Sequence, residues 1–314
     1  MPSPAHFIIG IESTQLNSND IQRLAHPCVV GCILFARNYT DPEQLKSLTD
    51  SIRHLRSDLL ISIDHEGGRV QRLRGKGFTD LCAPFELRLA PEFDIRSHAR
   101  TMCLELQAVG IDLSYAPVVD RYQDNSKIIH NRAFSDDFEQ ISNIASIYID
   151  TMHQCGMPSV LKHFPGHGAV LDDTHIESSI DGRCYEQITE TDIAPFVTLM
   201  ANGQADGVMI SHISYPRIDD KIASMSRFWM TDVLRNTLGF EGIIFSDDLD
   251  MKAVSKEYNN IIDMCNDFFT AGGDIALLCN NFNNIDKALA YFPANTDPRF
   301  GSRWFKFFSR VAPQ

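Results

Sequence analysis

The sequence predicts an α/β protein folded as one (β/α)8 TIM barrel over residues 1–314. Three observations carry this expectation. Eight short runs rich in Ile and Val recur along the chain, and longer segments of helical period lie between them. The runs are almost continuously apolar rather than alternating, as parallel strands covered by helices require. An open doubly wound sheet shares this rhythm, but no Gly-x-Gly-x-x-Gly follows the first run. No linker or composition shift divides the chain, and a closed barrel uses about 250 residues as a single domain.

The candidate strands are Phe7–Glu12, Cys28–Phe35, Leu59–Asp64, Asp112–Val119, Ser159–His163, Gly207–His212, Gly242–Ser246 and Asp274–Cys279. Between them the amphipathic stretches Asp41–Leu55, Asp94–Val109, Asp136–Cys155, Thr189–Asn202, Phe228–Leu238 and Ile261–Ala271 read as helices. Thr40-Asp41-Pro42-Glu43 offers a cap followed by Pro in the first turn, and Gly110, Gly156, Gly203 and Gly239 stand just past helix ends. The least regular stretch, Pro165–Arg183, reads as a long active-site loop. Its glycines (Gly166, Gly168 and Gly182) and scarce apolar residues predict that it opens and closes during turnover.

Composition excludes several classes of function. Lys and Arg number 28 against 41 Asp and Glu, a formal net charge of −13, and no basic cluster offsets it. Nucleic acid and anionic membrane surfaces both need a cationic footprint, so neither is an expected partner. The longest apolar run, Cys28–Ala36, is far short of the ~20 residues of a bilayer span. The N-terminus lacks the basic segment and apolar core of a secretory signal. The eight cysteines are scattered without a CxxC, several inside apolar runs, which suggests free buried thiols in a reducing compartment. A cytoplasmic monomer is expected.

In such a barrel, chemistry belongs to the C-terminal ends of strands and the loops after them. Those positions hold Asp64-His65-Glu66-Gly67-Gly68-Arg69, Asp120 with Arg132, Lys162-His163 and the loop to His175, His212, and Asp247-Asp248. Singly, such residues often cap helices or bond loop backbone. Together at one rim they point to a reaction site. As metal ligands, His163, His167, Asp173 and His175 match no recognised zinc spacing, so no metal is expected. Asp173-Thr174-His175 suits acid/base work better, because a nearby carboxylate can hold one ring nitrogen and leave the other to deliver a proton. Phe245-Ser246-Asp247-Asp248-Leu249 supplies carboxylates, one of which could attack an anomeric carbon while the imidazole protonates the leaving oxygen. The residues alone do not choose between Asp247 and Asp248.

The run Lys162-His163-Phe164-Pro165-Gly166-His167-Gly168, followed by Asp173-Thr174-His175, resembles the signature of family-three glycoside hydrolases of the β-N-acetylhexosaminidase type. The stretches Ile63–Arg72, Ser114–Asp120 and Gly242–Leu249 match in register, from about residue 7 to about residue 281. The nearest kind is the single-domain bacterial cytoplasmic enzyme that trims N-acetylglucosamine from recycled cell-wall muropeptides. The resemblance implies that Asp247 is the nucleophile, His175 the general acid/base and Asp173 its partner. It implies that Asp64, Arg72, Arg132, Lys162 and His163 bind the sugar. The substrate would be a small carbohydrate, an N-acetylglucosaminyl-anhydromuramyl peptide, cleaved with no cofactor. Gly67-Gly68 would let backbone approach the sugar, or simply form a tight turn. Thr174 stands where Ser is usual, Ser179 where Pro is usual and His65 where Gln is common, while Arg299–Gln314 matches nothing.

Three other readings compete. A phosphorylase on the same fold is one, since a neutral His would not repel incoming phosphate. A non-catalytic sugar-binding protein should lack the nucleophile or the acid, and both are retained. A metal-dependent barrel hydrolase would be sensitive to a chelator.

Overall fold

The computed structural model describes residues 5–170, 179–251, 254, 258, 260–293 and 298–311. Eight parallel strands make one sheet: β1 (Phe7–Gly10), β2 (Val29–Leu34), β3 (Leu60–Ile63), β4 (Leu113–Ser114), β5 (Val160–Phe164), β6 (Gly207–Ile210), β7 (Ile243–Asp248) and β8 (Ile275–Leu278). Their order, β4-β3-β2-β1-β8-β7-β6-β5, keeps chain neighbours adjacent and pairs the first strand with the last. The two outer edges then meet. Val160 N donates to Ala116 O at 2.8 Å and Val119 N to Lys162 O at 3.0 Å, with a parallel bridge between Val118 and Lys162. The sheet is a closed barrel.

The fourth strand is regular over only two residues, shorter than Asp112–Val119, because Pro117 has no N–H to give to the ladder. The near-continuous apolar strands also find their reason. Ile8 points into the barrel, whereas Phe7 and Ile9 pack outward, so both faces of β1 are buried.

Around the sheet lie α1 (Ser18–Leu24), α2 (Pro42–Leu55), α3 (Glu92–Ala108), α4 (Phe138–Gln154), α5 (Tyr185–Glu190), α6 (Ala194–Ala201), a π-helix over Phe228–Thr237, α7 (Ile261–Ala271), α8 (Phe282–Tyr291) and α9 (Pro298–Phe308). Asp41 caps α2 by accepting Gln44 N at 2.9 Å, and Asp137 caps α4 by accepting Gln140 N at 2.7 Å. The expected helix Thr189–Asn202 is two helices instead. Between them Asp192 is held by Arg183 at 2.7 Å, and Pro195 sits in the first turn of α6, where a missing N–H costs nothing.

The segment that matched no motif closes the floor of the barrel. From α9, Phe307 packs on Phe245 of β7 at 5.6 Å and Phe300 stacks on His6 at 3.4 Å. Arg303 pairs with Asp274 and Arg310 with Asp206 at 2.6 Å, both carboxylates standing just before a strand. The eight cysteines are free thiols, and most are buried, but Cys82 is exposed. Among the described residues no helix is long and apolar enough to cross a membrane.

Candidate active site

A cavity of about 740 Å3 opens at the C-terminal ends of the strands. Its lining brings together Asp64, Arg72, Arg132, Lys162, His163 and Asp247, contributed by the ends of β3, β5 and β7 and by the loops after β3 and β4. Asp173 and His175 lie outside the described residues, as does the middle of the Pro165–Arg183 loop.

Lys162 is the alternate, inward-facing residue of β5, almost completely buried. Its Nζ donates to Asp64 Oδ1 at 2.9 Å and pairs with Glu66 Oε1 at 2.7 Å. Arg132 reaches the same Glu66 from the loop after β4, donating from Nε at 2.8 Å and Nη2 at 2.7 Å. Arg72 stands 3.6 Å from Asp64. Burial alone would raise the Glu66 carboxyl, yet the charges of Arg132 and Lys162 hold it well below the usual carboxylate range. Burial works against the Lys162 ammonium too, but Asp64 and Glu66 raise it, so the cation persists.

A second carboxylate organises the other wall. Asp120 accepts His163 Nδ1 at 2.6 Å and the backbone N–H groups of His163 at 3.1 Å and His167 at 2.7 Å. With Nδ1–H committed to Asp120, His163 Nε2 is left beside the Arg132 guanidinium, 3.5 Å away. Burial would raise Asp120, and the attraction of His163 lowers it instead. His167 is buried and its pKa falls to about 4, mainly by burial, so it is neutral at pH 7.

Asp247 and Asp248 part company at the end of β7. Asp248 accepts from Asp250 N at 3.0 Å, Cys279 N at 3.2 Å and Asn280 Nδ2 at 3.2 Å, which ties it to the loops after β7 and β8. Asp247 accepts only the Asp248 N–H, at 2.8 Å, among the described residues. Burial would raise the Asp247 carboxyl, but His163, His212, the Asp248 N–H and Lys162 lower it to about 2. It is a carboxylate at any physiological pH and lines the cavity, and among the described residues no hydrogen bond to its second oxygen is seen. Asp248, by contrast, is pushed up to about 7 by burial and by Asp250 and Asp247.

The Gly67-Gly68 pair serves its turn rather than the cavity. Both residues have positive φ, and a Cβ would lie 2.5 Å from Cys82 O at Gly67 and 2.7 Å from Ala83 Cβ at Gly68. That turn joins a short hairpin, His65–Gly67 with Val70–Gln71, which projects Arg69 and Arg72. Sequence reasoning placed Glu66 and Asp120 at the rim but gave neither an individual role, although they hold four of the lining groups, Arg132, Lys162, His163 and His167. The available signal was only that Glu66 and Asp120 stand just past the ends of candidate strands, where chemistry in a barrel gathers.

This geometry agrees with comparison against known proteins. A family model described as the glycosyl hydrolase family 3 N-terminal domain matches residues 8–294. The chain belongs to glycosyl hydrolase family 3. It is a glycoside hydrolase on a (β/α)8 barrel. The beta-hexosaminidase of Tolumonas auensis is 43% identical over 290 residues, covering 88% of this chain and 83% of that one. That of Pseudomonas aeruginosa is 38% identical over 325 residues, covering 97% of each. Among solved structures, NagZ from Neisseria gonorrhoeae in complex with N-trifluoroacetyl-D-glucosamine superposes with a TM-score of 0.90 at 36% identity, covering 99% of this chain and 91% of that one.

Proposed function

We propose that this chain is a retaining exo-β-N-acetylglucosaminidase that removes terminal N-acetylglucosamine from peptidoglycan-derived muropeptides. The observation that carries the reading is Asp247, an ionised carboxylate that among the described residues accepts only the Asp248 N–H, in one cavity with the Asp64–Lys162–Glu66–Arg132 ion network. Its relatives named beta-hexosaminidase and the N-trifluoroacetyl-D-glucosamine complex of a similar protein support the sugar class.

In this reading the network and His163 clamp the hydroxyls and acetamido group of the terminal sugar. Asp247 attacks the anomeric carbon as His175, oriented by Asp173, protonates the leaving oxygen. The covalent glycosyl-enzyme is then opened by water, with His175 as the base. No cofactor enters. The enzyme acts as one catalytic domain, a monomer in the cytoplasm, during recycling of the cell wall.

The test is a panel of chromogenic β-glycosides assayed with and without phosphate. The proposal predicts release from the N-acetylglucosaminide, little from the glucoside, and free N-acetylglucosamine in both buffers. Preference for the glucoside would overturn the substrate class. Accumulation of a sugar 1-phosphate would replace hydrolysis by phosphorolysis.

A further inference from the structure

We infer that Lys127, braced through Arg69, forms a subsite for a carboxylate carried by the leaving group. The inference rests on the glycosidase reading and concerns the part of the cavity that the sugar clamp does not use.

The cavity, at about 740 Å3, extends past the clamp to Arg69, Lys127 and Ile128 on one side. Arg69 projects from the hairpin after β3, and its Nη2 donates to the carbonyl of Ile128, so two rim loops are fastened together. Arg132 Nη1 reaches the same carbonyl at 3.4 Å. Ile128 is buried under this double hold, whereas Lys127, one residue earlier, is exposed at the cavity wall. Among the described residues no carboxylate lies within ion-pair distance of Lys127. A fixed backbone thus presents an ammonium group to the cavity.

Topology says which end of a substrate passes there. The segment carrying the proposed acid/base leaves the barrel from β5, and its first residues pack on the loop after β4: His167 N donates to Asp120 at 2.7 Å, and a Cβ on Gly168 would lie 2.5 Å from Arg121 O. Lys127 belongs to that same β4 loop, while Asp247 comes from β7. A leaving group must lie on the side of its proton donor, away from the nucleophile. That side carries the cations. A chain of net charge −13 repels anions at long range, so a local cation at this wall selects for an anionic leaving group by contact.

Two matched substrate pairs test this: aryl β-N-acetylglucosaminides bearing a ring carboxylate or its methyl ester, and the disaccharide whose second sugar carries a lactyl carboxylate or its amide. The readout is the ratio of kcat/KM, anionic over neutral, for the wild type, Lys127→Ala and Lys127→Glu. The ratio should fall about two- to fivefold in Lys127→Ala, the size expected of one solvent-exposed ion pair, and further in Lys127→Glu. The fall should shrink as salt rises to roughly 0.5 M. Response in either pair upholds the subsite and tells which carboxylate it holds. An unchanged ratio in both pairs and both variants overturns it. Hydrolysis of none of the four substrates would instead overturn the functional reading, and the subsite with it.

Discussion

Glu66 receives Arg132 through two parallel hydrogen bonds, from Nε at 2.8 Å and Nη2 at 2.7 Å, while Lys162 closes on the same carboxylate. One buried anion therefore sets the spacing of two cations, one on β5 and one on the loop after β4. Glu66→Gln keeps the shape but strips the charge, leaving both cations undercompensated. We expect kcat/KM on an aryl N-acetylglucosaminide to fall roughly 100-fold, the scale of a small misplacement of binding groups. Steady-state kinetics beside a thermal melt is the check. A lower Tm with kcat/KM intact would make Glu66 a structural residue alone.

The neighbours Asp247 and Asp248 should separate sharply. Asp248 spends its oxygens on Asp250 N, Cys279 N and Asn280, so Asp248→Asn should lower stability and keep turnover within about tenfold. Asp247→Asn should fold and lose nearly all turnover. Equal losses in the two variants would contradict the division of labour.

The legible part of this structure was what local pattern controls. Double-sided burial of the strands shows as unbroken apolar runs, and Asp41-Pro42 announces the start of α2. Glu66 was not legible because its partner Arg132 is 66 positions away, and pairing at that distance leaves no trace in spacing. Phe300, Trp304, Phe307 and Phe308 do show helical spacing, but nothing local says that the face they form covers the barrel floor. The residues alone likewise did not separate Asp247 from Asp248, the same type at adjacent positions; the family resemblance pointed to Asp247, and the two carboxylates differ in their hydrogen-bond partners.

Acid should destabilise the fold in a definable window. Burial, the main cause, holds His65 and His167 down to about 4, against an ordinary value near 6.5. Between those values the unfolded chain takes up protons that the folded chain refuses. The contribution is therefore complete above about pH 6.5 and lost as pH falls towards 4, on the order of 3 kcal/mol for each group. Urea unfolding at pH 7 and at pH 4.5 should show His65→Gln losing less stability across the interval than the wild type. An identical loss would mean that His65 is not held neutral.

The barrel floor should matter for stability and not for binding. Phe307 is buried against Phe245 and far from the clamp, so Phe307→Ala should cost about 3–5 kcal/mol by urea unfolding. KM for an N-acetylglucosaminide should stay near the wild-type value in the folded variant. A change in KM larger than tenfold would show that the floor and the site are coupled.

The central claim is that Asp247 becomes covalently bonded to the sugar. Incubation with a fluorinated β-N-acetylglucosaminyl inhibitor carrying a good leaving group should slow breakdown of the intermediate and let it accumulate. Proteolysis and peptide mass mapping should then place the sugar on Asp247, with no label in the Asp247→Asn variant. A label on Asp248, Asp120 or Asp64, or turnover without any covalent species, would contradict the account.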